Sequence, residues 1–413
     1  MIRFHARTDV GKKRKNNEDS LLAAGEYGLF VVADGVGGRK AGELASAITV
    51  NTYQKYGPRL KAAVDTFSEQ PTRENRNAVL WLLDEAANVA SKRVYEAASS
   101  TGRQGMTTTL VAALVGGGGA FIVHVGDSRA YLLRGAGLRQ LTEDHSMVNQ
   151  LLAQGHITEE EARTSRYRNV ITRAVGLYPT VQTDTLYVEM VRGDRLMLCS
   201  DGCSDLVPPP DMAHMMATGS VADSTDALIE ASLDAGGKDN VTVVVVEPET
   251  VLEAEIVSAR AKAMEQLFLF SELPFHARLR VSRIVSELRY SVGDKVVRQG
   301  ERGDTMYTVV SGIVGVQVNG IDVASLGPGE HFGELALVDE LPRSADIVAL
   351  EPVHLLAIER TALRDFCLVE PGLGNQILWK LTSTLGDRLR ATNRMLEGGD
   401  EPENIPTIAH TEV

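Results

Sequence analysis

The chain has 413 residues, enough for two or three domains of ordinary size. With 44% hydrophobic and 23% charged residues it has the make-up of a globular protein, and its formal charge of -13 argues against a nucleic-acid partner, which needs a basic face. The three cysteines, Cys199, Cys203 and Cys367, form no CxxC pair and no Cys/His cluster of zinc-site spacing, so they read as free thiols of a reducing compartment.

The N-terminal stretch "MIRFHARTDVGKKRKNNED" has no apolar leader, and no run approaches the ~18 apolar residues of a membrane span. A cytoplasmic location is expected. From residue 1 to about 247, short runs rich in β-branched residues read as strands: "LFVVA", "TTLVAAL", "AFIVHV", "AYLLR", "RLMLCS" and "VTVVVVE". "NAVLWLLDEAANVASKRVYEAA" repeats Val79, Leu82, Leu83, Ala86 and Ala90 at helical spacing. The neighbouring runs "AFIVHVGDSR" and "AYLLRGAGLRQLT" indicate antiparallel hairpins, with a turn at "RGAG". The expected fold class is therefore α+β, with packed antiparallel sheets and helices outside.

A stretch helical in composition, "TVLEAEIVSARAKAMEQLFLF", follows without Gly or Pro and reads as a stiff connector. Beyond it, "KVVRQG", "MYTVVSG", "VGVQVNG" and "DVASLG" recur with glycine at most joints, the pattern of a small β-roll. Residues 351 to 396 read as a return to helix, and "GGDEPENIPTIAHTEV" as a disordered tail. The expected division is 1–247, a connector 248–266, a second domain 267–396 and the tail 397–413.

The chemistry gathers at strand ends. In "LFVVADGVGGRKAGELAS" an apolar run meets Asp34, then glycines, then a helical segment. A hairpin at Asp34-Gly35 lacks a second strand, a dinucleotide fingerprint lacks its third glycine (Lys40 stands there), and a Walker loop lacks its Gly-Lys-Ser/Thr. Asp127 ends another strand, Asp201 a third with Asp205 four residues on, Asp239 precedes a fourth, and Glu18 and Asp19 lie near the first. Such carboxylates repel one another unless a cation gathers them, and ligands that are all oxygen suit Mg²⁺ or Mn²⁺. The Gly35 carbonyl is a further candidate ligand.

In this order, "RKNNEDS", "DGVGGRKAGELAS", "GMTTTL", "VGDSRAYLLR", "RNVITRAVG", "SDGCSDL" and "GGKDNVTVVVV" resemble the metal-dependent protein phosphatase family (type 2C, or PPM). The resemblance implies two central sheets flanked by helices and removal of phosphate from phosphoserine and phosphothreonine in proteins. It makes Asp34 the bridge between two metals, with Asp201 and Asp239 on the first and Glu18 and the Gly35 carbonyl on the second. Asp127 and Asp205 would hold a third, weaker ion. Arg14 would grip the substrate phosphate, with Asn240 and Asp19 as supports. Two cations activate a water for in-line attack. Val36 replaces the histidine of many eukaryotic members, so proton delivery to the leaving oxygen falls to a water of the site. The run "KKRK" (12–15) reads as a basic loop beside the phosphate rather than a nuclear-import signal. The segment "TSRYRNVITRAVG" reads either as an exposed basic stretch or, by the resemblance, as a flap beside the active site where Arg166, Arg168 or Arg173 would meet acidic substrates.

The second dense motif is "GPGEHFGELALVDELPRSADIVAL". It sets Glu334 nine residues before Arg343, which alone reads as a loop–helix–strand with an exposed ion pair; the same span also offers a guanidinium for a cyclic phosphate, N–H donors at a helical turn and a carboxylate acceptor for a ribose hydroxyl. Together with "VGDKVVRQGERGDTMYTVVSGIVGV" it resembles the cyclic nucleotide-binding domain over about 265 to 395. By that resemblance Gly333, Leu335 and Ala336 supply backbone contacts, and Ser344 can touch a ligand, cAMP or cGMP. The expected protein is a Mn²⁺/Mg²⁺-dependent phosphatase regulated by a cyclic nucleotide. The alternative is a catalytically weak pseudo-phosphatase acting as a nucleotide sensor or scaffold. A transcription regulator is set aside, because no helix-turn-helix follows the last helix.

Overall fold

Strands covered on both faces carry uninterrupted apolar runs, and the segments 29–36, 110–116, 119–125 and 241–248 of this chain are built that way. The computed structural model describes residues 2–36, 41–102, 105–167 and 170–396; the expected tail 397–413 lies outside the described residues. Contacts divide the chain into two units, Met1–Ala254 and Glu255–Val413.

The first unit contains β1 (Ile2–Asp9), β2 (Asp19–Ala24), β3 (Leu29–Val36), α1 (Ala41–Glu69), α2 (Arg73–Thr101), β4 (Thr107–Thr108), β5 (Leu110–Gly116), β6 (Gly119–Val125), β7 (Arg129–Arg134) and β8 (Gly137–Gln140). It continues through α3 (Met147–Ala153), α4 (Glu159–Thr164), β9 (Asp184–Glu189), β10 (Arg195–Cys199), α5 (Asp201–Ser204), α6 (Pro209–Ala217), α7 (Val221–Asp234) and β11 (Val241–Pro248). One sheet runs β1-β11-β10-β7-β8, the other β2-β3-β5-β6-β9 with β4 on the end of β3. Every strand pairing in them is antiparallel.

Alternate residues of β3 face opposite layers. Leu29, Val31 and Ala33 pack with Tyr53 and Leu60 of α1 and Leu83 and Val94 of α2. Phe30 turns the other way and meets Phe4 of β1 at 5.1 Å between ring centres, joining the sheets. On the far side Met197, Val243 and Val245 pack with Met212 of α6 and Leu228 of α7. The layers are helix, sheet, sheet, helix, as expected.

One expectation is corrected. The runs 119–125 and 129–134 form no hairpin with each other, since β6 and β7 lie in different sheets. Only β7 and β8 form one, closing at Arg134 and Gly137. The three residues Gly126, Asp127 and Ser128 carry the chain across the sandwich.

The second unit takes α8 (Ala254–Gln266), α9 (Phe275–Val281), β12 (Val285–Tyr290), β13 (Lys295–Val297), β14 (Thr305–Ser311), β15 (Val314–Val318), β16 (Ile321–Leu326), β17 (His331–Phe332), β18 (Asp346–Ala349), β19 (Val353–Glu359), α10 (Arg360–Val369) and α11 (Pro371–Leu396). Its sheets, β12-β19-β14-β17 and β13-β18-β15-β16, enclose Val297, Val309, Val316, Ile347 and Leu355. The reading of 351–396 as helix fails over 353–359. "VHLLAIE" is the inner strand β19, paired with β12 and β14 on its two sides, so its apolar residues show no helical stripe. The segment expected as a connector is helical in α8, where Ala263 joins the second unit's core and Arg260 Nε lies 2.6 Å from Glu287 Oε1.

Candidate functional site

The acidic residues of the first unit are set by strand ends and by the crossover between sheets. Asp19, at the start of β2, pairs across from Asp34 near the end of β3. The threonines of "GMTTTL" hold the Asp34 backbone: its N–H donates to Thr109 Oγ1 at 2.9 Å, and Thr108 Oγ1 donates to its carbonyl at 2.7 Å. Thr109 Oγ1 also shares a 2.6 Å hydrogen bond with Ser128 Oγ, beside Asp127. Asp201 opens α5 directly after β10, and Asp239 precedes the adjoining β11.

Electrostatics shows that these groups share one neighbourhood. Burial, then the charges of Asp19, Asp201 and Asp127, push Asp34 well above the ordinary carboxylate range. Burial and the charges of Asp127, Asp205 and Asp239 raise Asp201 to about 8. Asp127 is raised to about 6 by burial, Asp144 and Asp205. Asp205 itself is exposed at the end of α5. Glu18 is raised by burial, with Arg14 opposing.

Do these residues fit a divalent cation? Asp201 Oδ1 is buried with no hydrogen-bond partner, an orphan acceptor of the kind an ion satisfies. Gly42, at the start of α1, supplies a second observation. A β-carbon there would sit 2.5 Å from the Gly35 carbonyl oxygen and 3.0 Å from Glu18 Oε2, so two oxygen donors converge on a space that only glycine leaves open. The donors are all oxygen, which suits a hard cation. The fit is good in chemistry and incomplete in geometry: among the described residues no three His, Cys, Asp or Glu side chains already surround one ion.

Asp19 and Asn240 each hydrogen-bond across segments remote in the chain. Asp19 Oδ2 accepts from Ser200 Oγ at 2.8 Å and Thr242 Oγ1 at 2.6 Å, tying one sheet to the other. Asn240 Oδ1 accepts the Glu18 N–H at 2.8 Å while its Nδ2 donates to the carbonyls of Val10 and Asn16. Arg14 Nη2 reaches Asp239 Oδ2 at 2.6 Å, so the residue expected to meet phosphate is here held by a residue expected to meet metal.

Of the arginines expected in the flap, Arg173 differs from expectation. Arg173 is turned inward, with Nη1 3.0 Å from Asp184 Oδ1 and 3.2 Å from His145 Nε2. Arg166 lies exposed over the ring of Tyr167 at 4.6 Å. Arg168 lies outside the described residues. Gly42, Thr108, Thr109 and the Arg129–Asp144 pair, with Nη2 to Oδ2 at 2.6 Å, were not singled out from the sequence. The threonine run and the glycine in "KAGELAS" were visible as motif members, but their roles depend on contacts between distant segments.

In the second unit, Arg343 lies against the backbone. Its Nη2 donates to the Thr305 carbonyl at 2.7 Å, and its Nη1 is 2.5 Å from where a β-carbon on Gly333 would stand. Gly333 has φ of 76°, a left-handed conformation that glycine adopts without strain. Glu334 and Ala336 are buried, whereas Leu335 and Ser344 are exposed. Glu334–Leu337 forms a single 3-10 turn, shorter than an α-helix end.

A protein phosphatase 2C model matches residues 11–270, and a cyclic nucleotide-binding domain model matches residues 287–369. The serine/threonine phosphatase stp of Listeria welshimeri is 38% identical over 245 residues, 58% of this chain and 94% of that protein. The crystal structure of the Mycobacterium tuberculosis serine/threonine phosphatase PstP superposes with a TM-score of 0.53 at 37% identity, covering 60% of this chain and 99% of that one. The PstP catalytic domain in complex with two manganese ions gives a TM-score of 0.52 at 36% identity, covering 60% and 97%. Among the described residues no helix is long and apolar enough to cross a membrane. Strand-end carboxylates, sandwich and family match agree: the chain belongs to the protein phosphatase 2C family, and its second unit carries a cyclic nucleotide-binding domain match.

Proposed function

We propose that this chain hydrolyses phosphoserine and phosphothreonine in proteins with divalent cations, Mn²⁺ or Mg²⁺, and that a cyclic nucleotide at the second unit regulates it. Asp34, Asp201 and Asp239 would hold one ion. Asp34, Glu18 and the Gly35 carbonyl would hold another, and Asp127 with Asp205 a third. Acidic residues from separate strand ends whose charges act on Asp201, together with its unpartnered Oδ1, carry this reading. The manganese ions of the PstP neighbour support it.

Such cations, when bound, supply Lewis acidity that activates water and neutralises charge at phosphorus. The chain's own residues do the rest. Arg14, released from Asp239, would bind the phosphate oxygens through its planar guanidinium. Thr108 and Thr109 keep Asp34 oriented through its backbone, and Asn240 fixes the loop that carries Arg14. In the reaction a water oxygen bonds to phosphorus and gives up a proton to solvent of the site, the bond to the seryl or threonyl oxygen breaks, and that oxygen takes a proton back from the same solvent. Val36 offers no proton for that step.

At the second unit, Arg343 would exchange its Thr305 contact for the cyclic phosphate, and Glu334 would accept from the ribose. Gly333, Leu335 and Ala336 would contribute backbone groups, with Ser344 at the rim. The match of residues 287–369 to the cyclic nucleotide-binding domain model supports a ligand such as cAMP or cGMP. A coupling of ~1–3 kcal/mol, typical between sites, would change turnover several-fold to a hundredfold. The test is aryl-phosphate hydrolysis with Mn²⁺ by wild type and Asp34→Asn, with and without each nucleotide. Equal rates in the two proteins would defeat the metal-site assignment, and a rate indifferent to both nucleotides would defeat the regulatory one.

A further inference from the structure

The expected acidic-substrate contacts in the flap include Arg173, which is turned inward on Asp184. Basic charge is instead concentrated elsewhere. The loop 12–15 reads Lys-Lys-Arg-Lys, and all four residues are exposed. Its backbone docks on the loop before β11: the Lys12 N–H donates to the Gly237 carbonyl at 2.8 Å. That contact places exposed Lys238 beside it. Asn240 clamps both ends of the lysine loop, donating to Val10 at 2.9 Å and Asn16 at 3.0 Å, so the basic side chains stand on a tethered frame.

Lys12 has one partner, Asp234 Oδ1 at 3.4 Å, in an exposed pair. Among the described residues Lys13, Lys15 and Lys238 carry no ion pair. A chain of formal charge -13 thus keeps uncompensated lysines on either side of Arg14.

We propose that Lys13, Lys15 and Lys238 select phosphosites flanked by acidic residues, an inference that rests on Arg14 meeting the substrate phosphate. An extended peptide advances about 3.3–3.6 Å per residue, so side chains two positions from the phosphoresidue lie roughly 7 Å away. That is comparable with the Debye length of about 8 Å at physiological ionic strength, so lysines beside the landed peptide act on these side chains through partial screening that added salt deepens. The overall negative charge repels an acidic partner at long range, and the lysine rim reverses the sign where the peptide lands. Rim charges of this kind act on encounter and on salt dependence. Specificity here is a difference between two peptides rather than a gain in chemistry.

The test uses the full chain with Mn²⁺ and two phosphothreonine peptides identical except for Asp or Gln at the flanking positions. Wild type is expected to favour the acidic peptide in kcat/KM by about fivefold or more, a preference that shrinks as salt is raised. The Lys13→Glu, Lys15→Glu double variant is expected to abolish or invert the ratio. Equal kcat/KM on the two peptides in wild type, or an unchanged ratio in the double variant, overturns the proposal. Aryl phosphate, which has no flanking residues, separates the two levels. Wild type that turns it over without discriminating the peptides loses this proposal alone; wild type that fails on it loses the phosphatase reading as well.

Discussion

The two units handle charge in opposite ways. In the first, carboxylates stand together with little compensation: Asp34, Asp127 and Asp201 are each raised by burial and by one another. In the second, Arg343 is held by the backbone, donating to the Thr305 carbonyl and lying against Gly333. A site for cations is completed by the ions that relieve its repulsion. A site for an anion can be kept ready by backbone acceptors that the ligand later replaces. The first unit should therefore respond to metal with large changes in proton binding and stability, and the second to nucleotide with a modest one.

The largest effect is expected for Asp34→Asn. On the proposed assignment of Asp34 to both ions, its loss removes several kcal/mol of charge stabilisation at phosphorus, so kcat/KM for aryl phosphate with Mn²⁺ should fall roughly a thousandfold. In the second unit, a nucleotide at a hundredfold excess over its Kd should stabilise wild type by about 2.7 kcal/mol, and Arg343→Ala should show none of it in a thermal-shift titration. A nucleotide response that survives in Arg343→Ala would break the contrast. Gly42→Ala puts a methyl between the Gly35 carbonyl and Glu18 Oε2, and calorimetry should show Mn²⁺ affinity lowered about 10- to 100-fold.

The last effect concerns pH. Asp201 near 8 and Asp127 near 6 hold protons in the folded chain more tightly than an ordinary aspartate at 3.8. Without metal, the folded state binds more protons than the unfolded, so this cluster's stability is complete below about pH 4 and lost as pH rises towards 8. Saturating Mn²⁺ should remove that loss, because metal binding displaces the protons. Urea melts of metal-free protein at pH 6 and pH 8 check the sign, with lower stability expected at pH 8.

What the sequence made legible follows from the sandwich itself. Strands buried on both faces end where polarity resumes, so Asp34, Asp127, Asp201 and Asp239 stand out at the ends of apolar runs. The same uniformity hid other features. β19 looked like helix because an inner strand has no alternating face, and β6 and β7 looked like a hairpin because three residues can either turn or cross between sheets. Gly42 could not be assigned from its neighbours: its role appears only when Gly35 and Glu18 arrive from other segments. Arg173 read as a surface charge because its partners, Asp184 and His145, are remote in sequence or separated by a loop.

The central claim is that these scattered carboxylates form one cation site, and calorimetric titration of the metal-free chain with Mn²⁺ tests it most directly. The account predicts at least two ions bound with release of protons, and markedly weaker binding in Asp34→Asn. Mn²⁺ binding that is absent, or identical in wild type and Asp34→Asn, would contradict it.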